Sequence, residues 1–251
     1  MPVHDLFDLS GKVALVTGGS RGLGREMVLA FAEAGADVVI ASRKLDACEA
    51  VAAEVEALGR QALPVAANVS YWAQCDELAD AAYERFGRVD VLVNNAGLSP
   101  LYPSIDQVEE ALFDKVVALN LKGPFRLMAN IGTRMAAAGG GSIINVSSTT
   151  SIRPRADVIA YAAAKAGLNA MTVGFAHCFG PAVRVNCIMC GPFLTDIAKA
   201  WDMEVFAQRA AEMCLRRGGE PNEIVGAALY FASAASSFCT GAVLRLDGGQ
   251  P

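Results

Sequence analysis

Short apolar runs rich in β-branched residues alternate with helix-like stretches along almost the entire chain, and that alternation constrains the fold more than any other feature. The runs fall at 13–16, 37–42, 62–66, 89–93, 142–146, 183–188 and 242–246. Helical patterns fill 25–34, 46–58, 73–85, 109–137, 158–178 and 222–234. A strand covered on both faces reads as a continuous apolar run, and parallel neighbours need a crossover helix between them. The expectation is an α/β protein with a doubly wound, parallel, seven-stranded sheet, and no break in composition divides 1–251 into separate domains. Gly139, Gly140 and Gly141 end the longest helical stretch as turn residues. A hydrophobic content of 53% over 251 residues is ample to bury such a sheet.

The first strand-to-helix junction carries chemistry. Val13-Ala14-Leu15-Val16 runs into Thr17-Gly18-Gly19-Ser20-Arg21-Gly22-Leu23-Gly24. Gly18 permits a tight turn, Gly22 lets backbone approach a pyrophosphate, and Gly24 lets helix and strand pack closely. Phosphates then sit on the N–H groups of the helix start, with Ser20, Arg21 and Leu23 around them. A glycine trio alone is weak, but this one lies between a strand and a helix, as a dinucleotide loop requires. An NAD site commonly carries an acidic residue at the end of the second strand for the ribose 2′-hydroxyl. Here Ser42, Arg43 and Lys44 stand in that place. Without a carboxylate, and with Arg21 able to reach the same pocket, Arg21 and Arg43 point to NADP(H), with NAD(H) less favoured.

Tyr161 and Lys165 lie four residues apart in an alanine-rich helical stretch, so both side chains share a face. Ser148 lies thirteen residues before the tyrosine. A free tyrosine, with a pKa of about 10, is ionised only about one part in a thousand at neutral pH. A fixed positive charge nearby favours the phenolate and brings the group toward its working range as acid or base. A rival reading takes Gly18-Gly19-Ser20-Arg21-Gly22 as the Gly-x-Ser-x-Gly elbow of a hydrolase. That reading needs a downstream histidine in a loop after a strand, whereas His4 and His177 are the only histidines and His177 falls late in the tyrosine's own helix.

Taken together, Thr17-Gly18-x-x-x-Gly22-x-Gly24, Asn94-Asn95-Ala96-Gly97, Asn120, Ser148 and Tyr161-x-x-x-Lys165 resemble the short-chain dehydrogenase/reductase family, in its order and spacing. The resemblance extends to Thr240-Gly241 and Asp247-Gly248-Gly249, and the 3-oxoacyl-carrier-protein reductases and gluconate 5-dehydrogenases are similar members. It implies a nicotinamide-dependent oxidoreductase built on a single Rossmann domain, 1–251, usually a homotetramer, acting on a small carbonyl or alcohol substrate. Tyr161 is then the acid that protonates the carbonyl oxygen, Ser148 holds that oxygen, and Lys165 binds ribose hydroxyls and lowers the tyrosine pKa. Asn120 holds a water that relays protons to Lys165. Asn94, Ala96 and Gly97 line the adenosine side, Asn68 and Val69 form the adenine turn, and Gly191, Pro192 and Thr195 meet the nicotinamide end. Two departures stand out. Many relatives have Asp where this chain has Asn68, which keeps an acceptor and adds donors. The loop after the sixth strand reads Cys190-Gly191-Pro192, and the missing proline ahead of the glycine is expected to loosen the backbone there.

A formal net charge of -5 argues against nucleic acid as the main partner. No run of eighteen uncharged apolar residues suggests a membrane span, and the first ten residues lack a signal peptide's pattern, so the expected location is the cytoplasm. Seven cysteines should stay reduced there. Cys187 and Cys190 form a lone Cys-x-x-Cys without partners for zinc, so no metal is expected, and they read as structural thiols with a redox role left open. Arg153 and Arg155, between Ser148 and Tyr161, offer charge for an anionic substrate or are solvated loop residues. The segment 195–217, with Phe193 and Leu194 before it and Ile197, Trp201 and Phe206 within it, reads as an apolar lid or a subunit contact. Two alternatives to an NADP(H) reductase remain: an NAD-preferring alcohol dehydrogenase and a non-catalytic nucleotide-binding regulator.

Overall fold

The computed structural model of the chain describes residues 2–196, 198 and 201–251. The first apolar run forms β1 (Val13–Thr17), buried along its whole length. Ala14 and Val16 face one hydrophobic cluster while Val13 and Leu15 face the other, as the two-residue period of a strand demands. The other strands are β2 (Asp37–Ser42), β3 (Ala62–Ala66), β4 (Val91–Asn94), β5 (Gly141–Ser148), β6 (Val183–Cys190) and β7 (Val243–Leu246). They form one sheet in the order β3-β2-β1-β4-β5-β6-β7, and every pair is parallel. Pro64 lies in edge strand β3, where a missing N–H costs least.

Helices cover both faces. α1 (Gly22–Glu33) and α2 (Leu45–Ala57) pack on one face, where Met27, Val28, Phe31, Val51 and Val55 are buried. α3 (Trp72–Phe86) packs on the opposite face through Leu78 and Ala82. α4 (Glu110–Val117) runs through a π turn (Ala118–Lys122) into α5 (Gly123–Ala137), so the single long helix expected at 109–137 is interrupted. Pro124 has no N–H to give the carbonyl four residues back, and the Gly123 N–H bonds instead to Ala118, five residues back. α6 (Ile159–Phe179) joins α3 and α5 on their face. α7 (Met203–Ala211) lies in the segment after β6, and α8 (Val225–Ala232) packs beside α1.

The chain turns outward in both directions from the β1–β4 pair, because β2 and β3 lie on one side of it and β5 to β7 on the other. Loops leaving β1 and β4 at their carboxyl ends therefore diverge and leave a crevice, the usual ligand position in such a sheet. β5 and β6 each run two residues beyond their expected ends. Ser147 and Ser148 pair with Met189 and Cys190, a continuation that an apolar pattern does not reveal. The span Ala156–Phe179 is long and apolar enough by composition to cross a membrane. Here it packs on β5 and β6 and buries Lys165, Leu168 and Thr172, which is the work of a core helix.

Candidate active site

At the carboxyl end of β1 the glycine turn is built as its spacing implies. Gly18 has φ +64, a left-handed value that side chains resist. A Cβ on Gly24 would stand 2.1 Å from the Gly18 carbonyl oxygen, so only glycine lets α1 start this close to β1. Arg21 is the N-cap of α1 and makes no side-chain cap bond, which leaves the first-turn N–H groups directed at the crevice. Asn95 locks the turn to β4. Its Nδ2 donates to the carbonyls of Thr17 at 2.8 Å and Gly18 at 3.2 Å, and its N–H donates to Thr17 Oγ1 at 3.0 Å. The sequence reading passed over Asn95 as a site residue, although it lies in the quoted Asn94-Asn95-Ala96-Gly97 run.

One groove runs from this turn across the sheet to the end of β5. Gly18, Ser20, Arg21, Gly22, Leu23 and Gly24 line it at one end, followed by Ser42, Arg43, Asn68, Val69, Ala96 and Gly97. Ser148, Tyr161, Lys165, Gly191, Pro192 and Thr195 line the other end. Arg43 is exposed and makes no hydrogen bond or ion pair among the described residues, whereas Arg21 lies 3.4 Å from Asp196 across the groove. Asn68 Oδ1 accepts the Ser70 N–H at 3.2 Å.

Asn94 does not reach this groove. It is buried in β4 and donates through Nδ2 to Asn145 Oδ1 at 2.9 Å, while Asn145 donates to Thr172 Oγ1 on α6 at 2.9 Å. The expectation that Asn94 lines the adenosine side is corrected: its side chain crosses the core. Asn120 is also enclosed. In the π turn its Nδ2 donates to the carbonyls of Leu98 and Val116, each at 2.9 Å, and its Oδ1 accepts the Leu98 N–H at 3.3 Å. It nonetheless stands next to the reactive cluster, because a Cβ on Gly97 would lie 3.1 Å from Asn120 Oδ1 and 3.7 Å from Lys165 Nζ.

Ser148 ends β5, and Tyr161 stands in the first turn of α6 with Lys165 one turn later. Thr150 Oγ1 donates to Ser148 Oγ at 3.0 Å. Lys165 Nζ donates to the Val146 carbonyl at 2.8 Å and lies 5.8 Å from the centre of the Tyr161 ring. Burial pushes the Tyr161 phenol up to about 12, against the smaller pull of the Ser148 hydroxyl, and brings Lys165 down to about 8. The net shift of the phenol is therefore upward, not the lowering expected from the lysine, and the phenol stays protonated at neutral pH.

Other expectations resolve differently. Cys187 and Cys190 both lie within β6, and their odd spacing puts them on opposite faces, out of reach of one another as a disulfide. Burial raises both thiols to about 12, which keeps them protonated and unreactive. The loosening expected ahead of Gly191 does not occur. Cys190 is paired in the sheet with Leu246, the Gly191 N–H donates to the Leu246 carbonyl at 2.9 Å, and a Cβ on Gly191 would meet Asp247 Cα at 2.6 Å. Both arginines line the groove; Arg155 is paired with Asp157, whereas Arg153 donates to the neutral Gln250 carbonyl at 2.7 Å and keeps its charge without a carboxylate partner among the described residues. Phe193, Trp201 and Phe206 line the groove as the apolar lid expects, with the last two rings 5.2 Å apart; Ile197 lies outside the described residues. His177 is exposed in the last turn of α6, sixteen residues past Tyr161 and so about 24 Å along the helix axis from the groove that Tyr161 shares with Ser20, the serine of the hydrolase elbow, which removes that reading.

Comparison with known proteins agrees with this geometry. The family model described as short chain dehydrogenase matches residues 12–205. An uncharacterized oxidoreductase of Mycobacterium tuberculosis (strain CDC 1551 / Oshkosh) is 41% identical over 250 residues, 98% of this chain and 95% of its own. A solved 7alpha-hydroxysteroid dehydrogenase, complexed with NADH and 7-oxo glycochenodeoxycholic acid, matches with a TM-score of 0.95 at 33% identity, covering 100% of this chain and 98% of that one. A 3-oxoacyl (acyl-carrier-protein) reductase from Agrobacterium tumefaciens C58 with NADP bound matches at 0.93 and 32%, covering 99% and 98%. The two solved neighbours hold different nicotinamide dinucleotides, so likeness alone does not choose between them.

Proposed function

This chain belongs to the short-chain dehydrogenase family, and from that premise we propose that it is an NADP(H)-dependent reductase of ketones that also runs in reverse on secondary alcohols. The observation that carries the reading is the continuous groove joining the glycine turn to Ser148, Tyr161 and Lys165. Its residues fit a dinucleotide. The uncapped first turn of α1 offers N–H groups to phosphates, and Arg43 offers a guanidinium where an NAD site would carry a carboxylate. When bound, the reduced nicotinamide supplies the hydride.

The chain's own residues do the rest. Ser148 Oγ donates to the substrate carbonyl oxygen and fixes its position. Tyr161 gives its proton to that oxygen as negative charge develops there, and the protonated phenol that burial enforces is the form this step needs. Lys165 holds the ribose hydroxyls and stabilises the phenolate left behind. Asn120 stands beside it on the path by which the proton is replaced. In the reverse direction the phenol must first be deprotonated, which burial opposes, so alcohol oxidation should accelerate as pH rises from neutral toward 10 while reduction should not. Cofactor groove and catalytic cluster belong to one domain spanning 1–251, assembled as a homotetramer in the cytoplasm.

A panel of ketones with NADPH, followed by loss of its absorbance, tests the assignment. The parent protein should reduce members of the panel, and Tyr161→Phe should lower turnover by about 10²–10⁴-fold while still binding NADPH. Full turnover in Tyr161→Phe would contradict the role given to the phenol.

A further inference from the structure

Ser148 and Tyr161 must present two hydroxyls to one substrate oxygen, yet they belong to different elements joined by a ten-residue stretch, 149–158. α6 begins poorly: its N-cap is Val158, which has no side-chain acceptor, and Tyr161 sits in the first turn, where helices fray. Apart from local turn bonds, hydrogen bonds from three outside residues hold this connector among the described residues. One comes from α6 itself, where Asn169 Nδ2 donates to Ser151 Oγ at 2.8 Å. The other two come from distant parts of the chain.

At the end of the connector, the Tyr102 hydroxyl accepts the Ile159 N–H at 2.8 Å and donates to the Ala156 carbonyl at 2.8 Å. A phenol from the loop after β4 thus replaces the missing cap of the helix that carries the proposed acid. At the start of the connector, Thr149 Oγ1 donates to Gln250 Oε1 at 2.9 Å, one residue from Ser148. The Gln250 carbonyl also accepts from Arg153 at 2.7 Å and from Arg245 at 3.1 Å. The same tail is itself anchored: the Gly249 and Gly248 carbonyls accept the N–H groups of Cys214 at 3.2 Å and Leu215 at 3.0 Å, just beyond α7. We propose that Tyr102 and Gln250 are positioning residues that clamp the Ser148–Tyr161 connector at its two ends and so set the geometry of the two reacting hydroxyls.

The clamp rests on the reductase reading for its consequence but not for its existence, and two readouts separate the two. Amide deuterium exchange of the peptide covering 149–160 needs no substrate. In Tyr102→Phe and in Gln250→Leu it should quicken about tenfold, with the rest of the chain unchanged, whereas Gln250→Glu, which keeps an oxygen for Thr149, should match the parent. Against a ketone that the parent reduces, the first two variants should lose about tenfold in kcat, with NADPH Kd within about twofold of the parent, and Gln250→Glu should retain kcat. Unchanged exchange in Tyr102→Phe and Gln250→Leu overturns the clamp. Faster exchange with undiminished kcat overturns its positioning role. Faster exchange in a protein whose parent reduces no carbonyl upholds the clamp and refutes the reductase.

Discussion

Tyr161 and Lys165 are moved in opposite directions by one cause: burial disfavours charge, so the phenol is raised and the ammonium lowered. For Lys165 the effect has a sign in stability. Its folded value of about 8 lies below its ordinary 10.5, so between those values the unfolded chain holds more protons. Stability is then greatest above the unfolded value and is lost as pH falls through the folded one. At neutral pH the buried charge costs about 3 kcal/mol, and removing it leaves the Val146 carbonyl without a donor at about 1 kcal/mol. Lys165→Met should therefore be more stable than the parent by about 2 kcal/mol at pH 7 in urea unfolding, and the gain should vanish at about pH 10. At the far end of the groove, Arg43→Asp should move preference toward NADH by at least about tenfold, read as the ratio of the two Kd values. Most of these residues were legible from the sequence because their spacing is local. The direction of the Tyr161 shift was not, since it depends on how deeply α6 is covered.

Elements were legible where a single period dominates and were misread where tertiary contacts take over. β2 and β3 fall where the apolar runs place them, and the helix after the glycine turn differs by three residues at its start because Gly22, Leu23 and Gly24 are already helical. The interruption at Ala118–Lys122 follows from Pro124, a local signal that the unbroken apolar pattern of 109–137 hides. Asn94 was misplaced because strand alternation alone does not say whether a polar residue at a carboxyl end meets the crevice or, as here, Asn145. Tyr102 and Gln250 carry no sequence signal at all: their partners lie 54 to 101 residues away. The glycine turn gives a sharper element-scale expectation. Gly24→Ala forces a Cβ against the Gly18 carbonyl, so thermal unfolding should show a loss of about 1–3 kcal/mol, and NADPH binding should weaken by more than about tenfold as the turn is displaced.

Across the whole molecule, function follows from the order of strands. The chain reverses direction of growth between β1 and β4, and the loops leaving that point build one wall of the groove while β5 and α6 build the other. Helices α4, α5 and α6 leave Phe113, Phe125, Ile159 and Val173 exposed. For the proposed homotetramer light scattering should return four times the chain mass of 26.2 kDa, and the mass of one or two chains would refute it. The central claim, that this groove is a nicotinamide dinucleotide site selective for the phosphorylated form, is tested most directly by fluorescence titration of the purified protein with NADPH and NADH at low salt. NADPH should bind at least about tenfold tighter than NADH, from charge-assisted contacts at Arg21 and Arg43. Equal or tighter binding of NADH would contradict the phosphate pocket, and binding of neither would contradict the site itself.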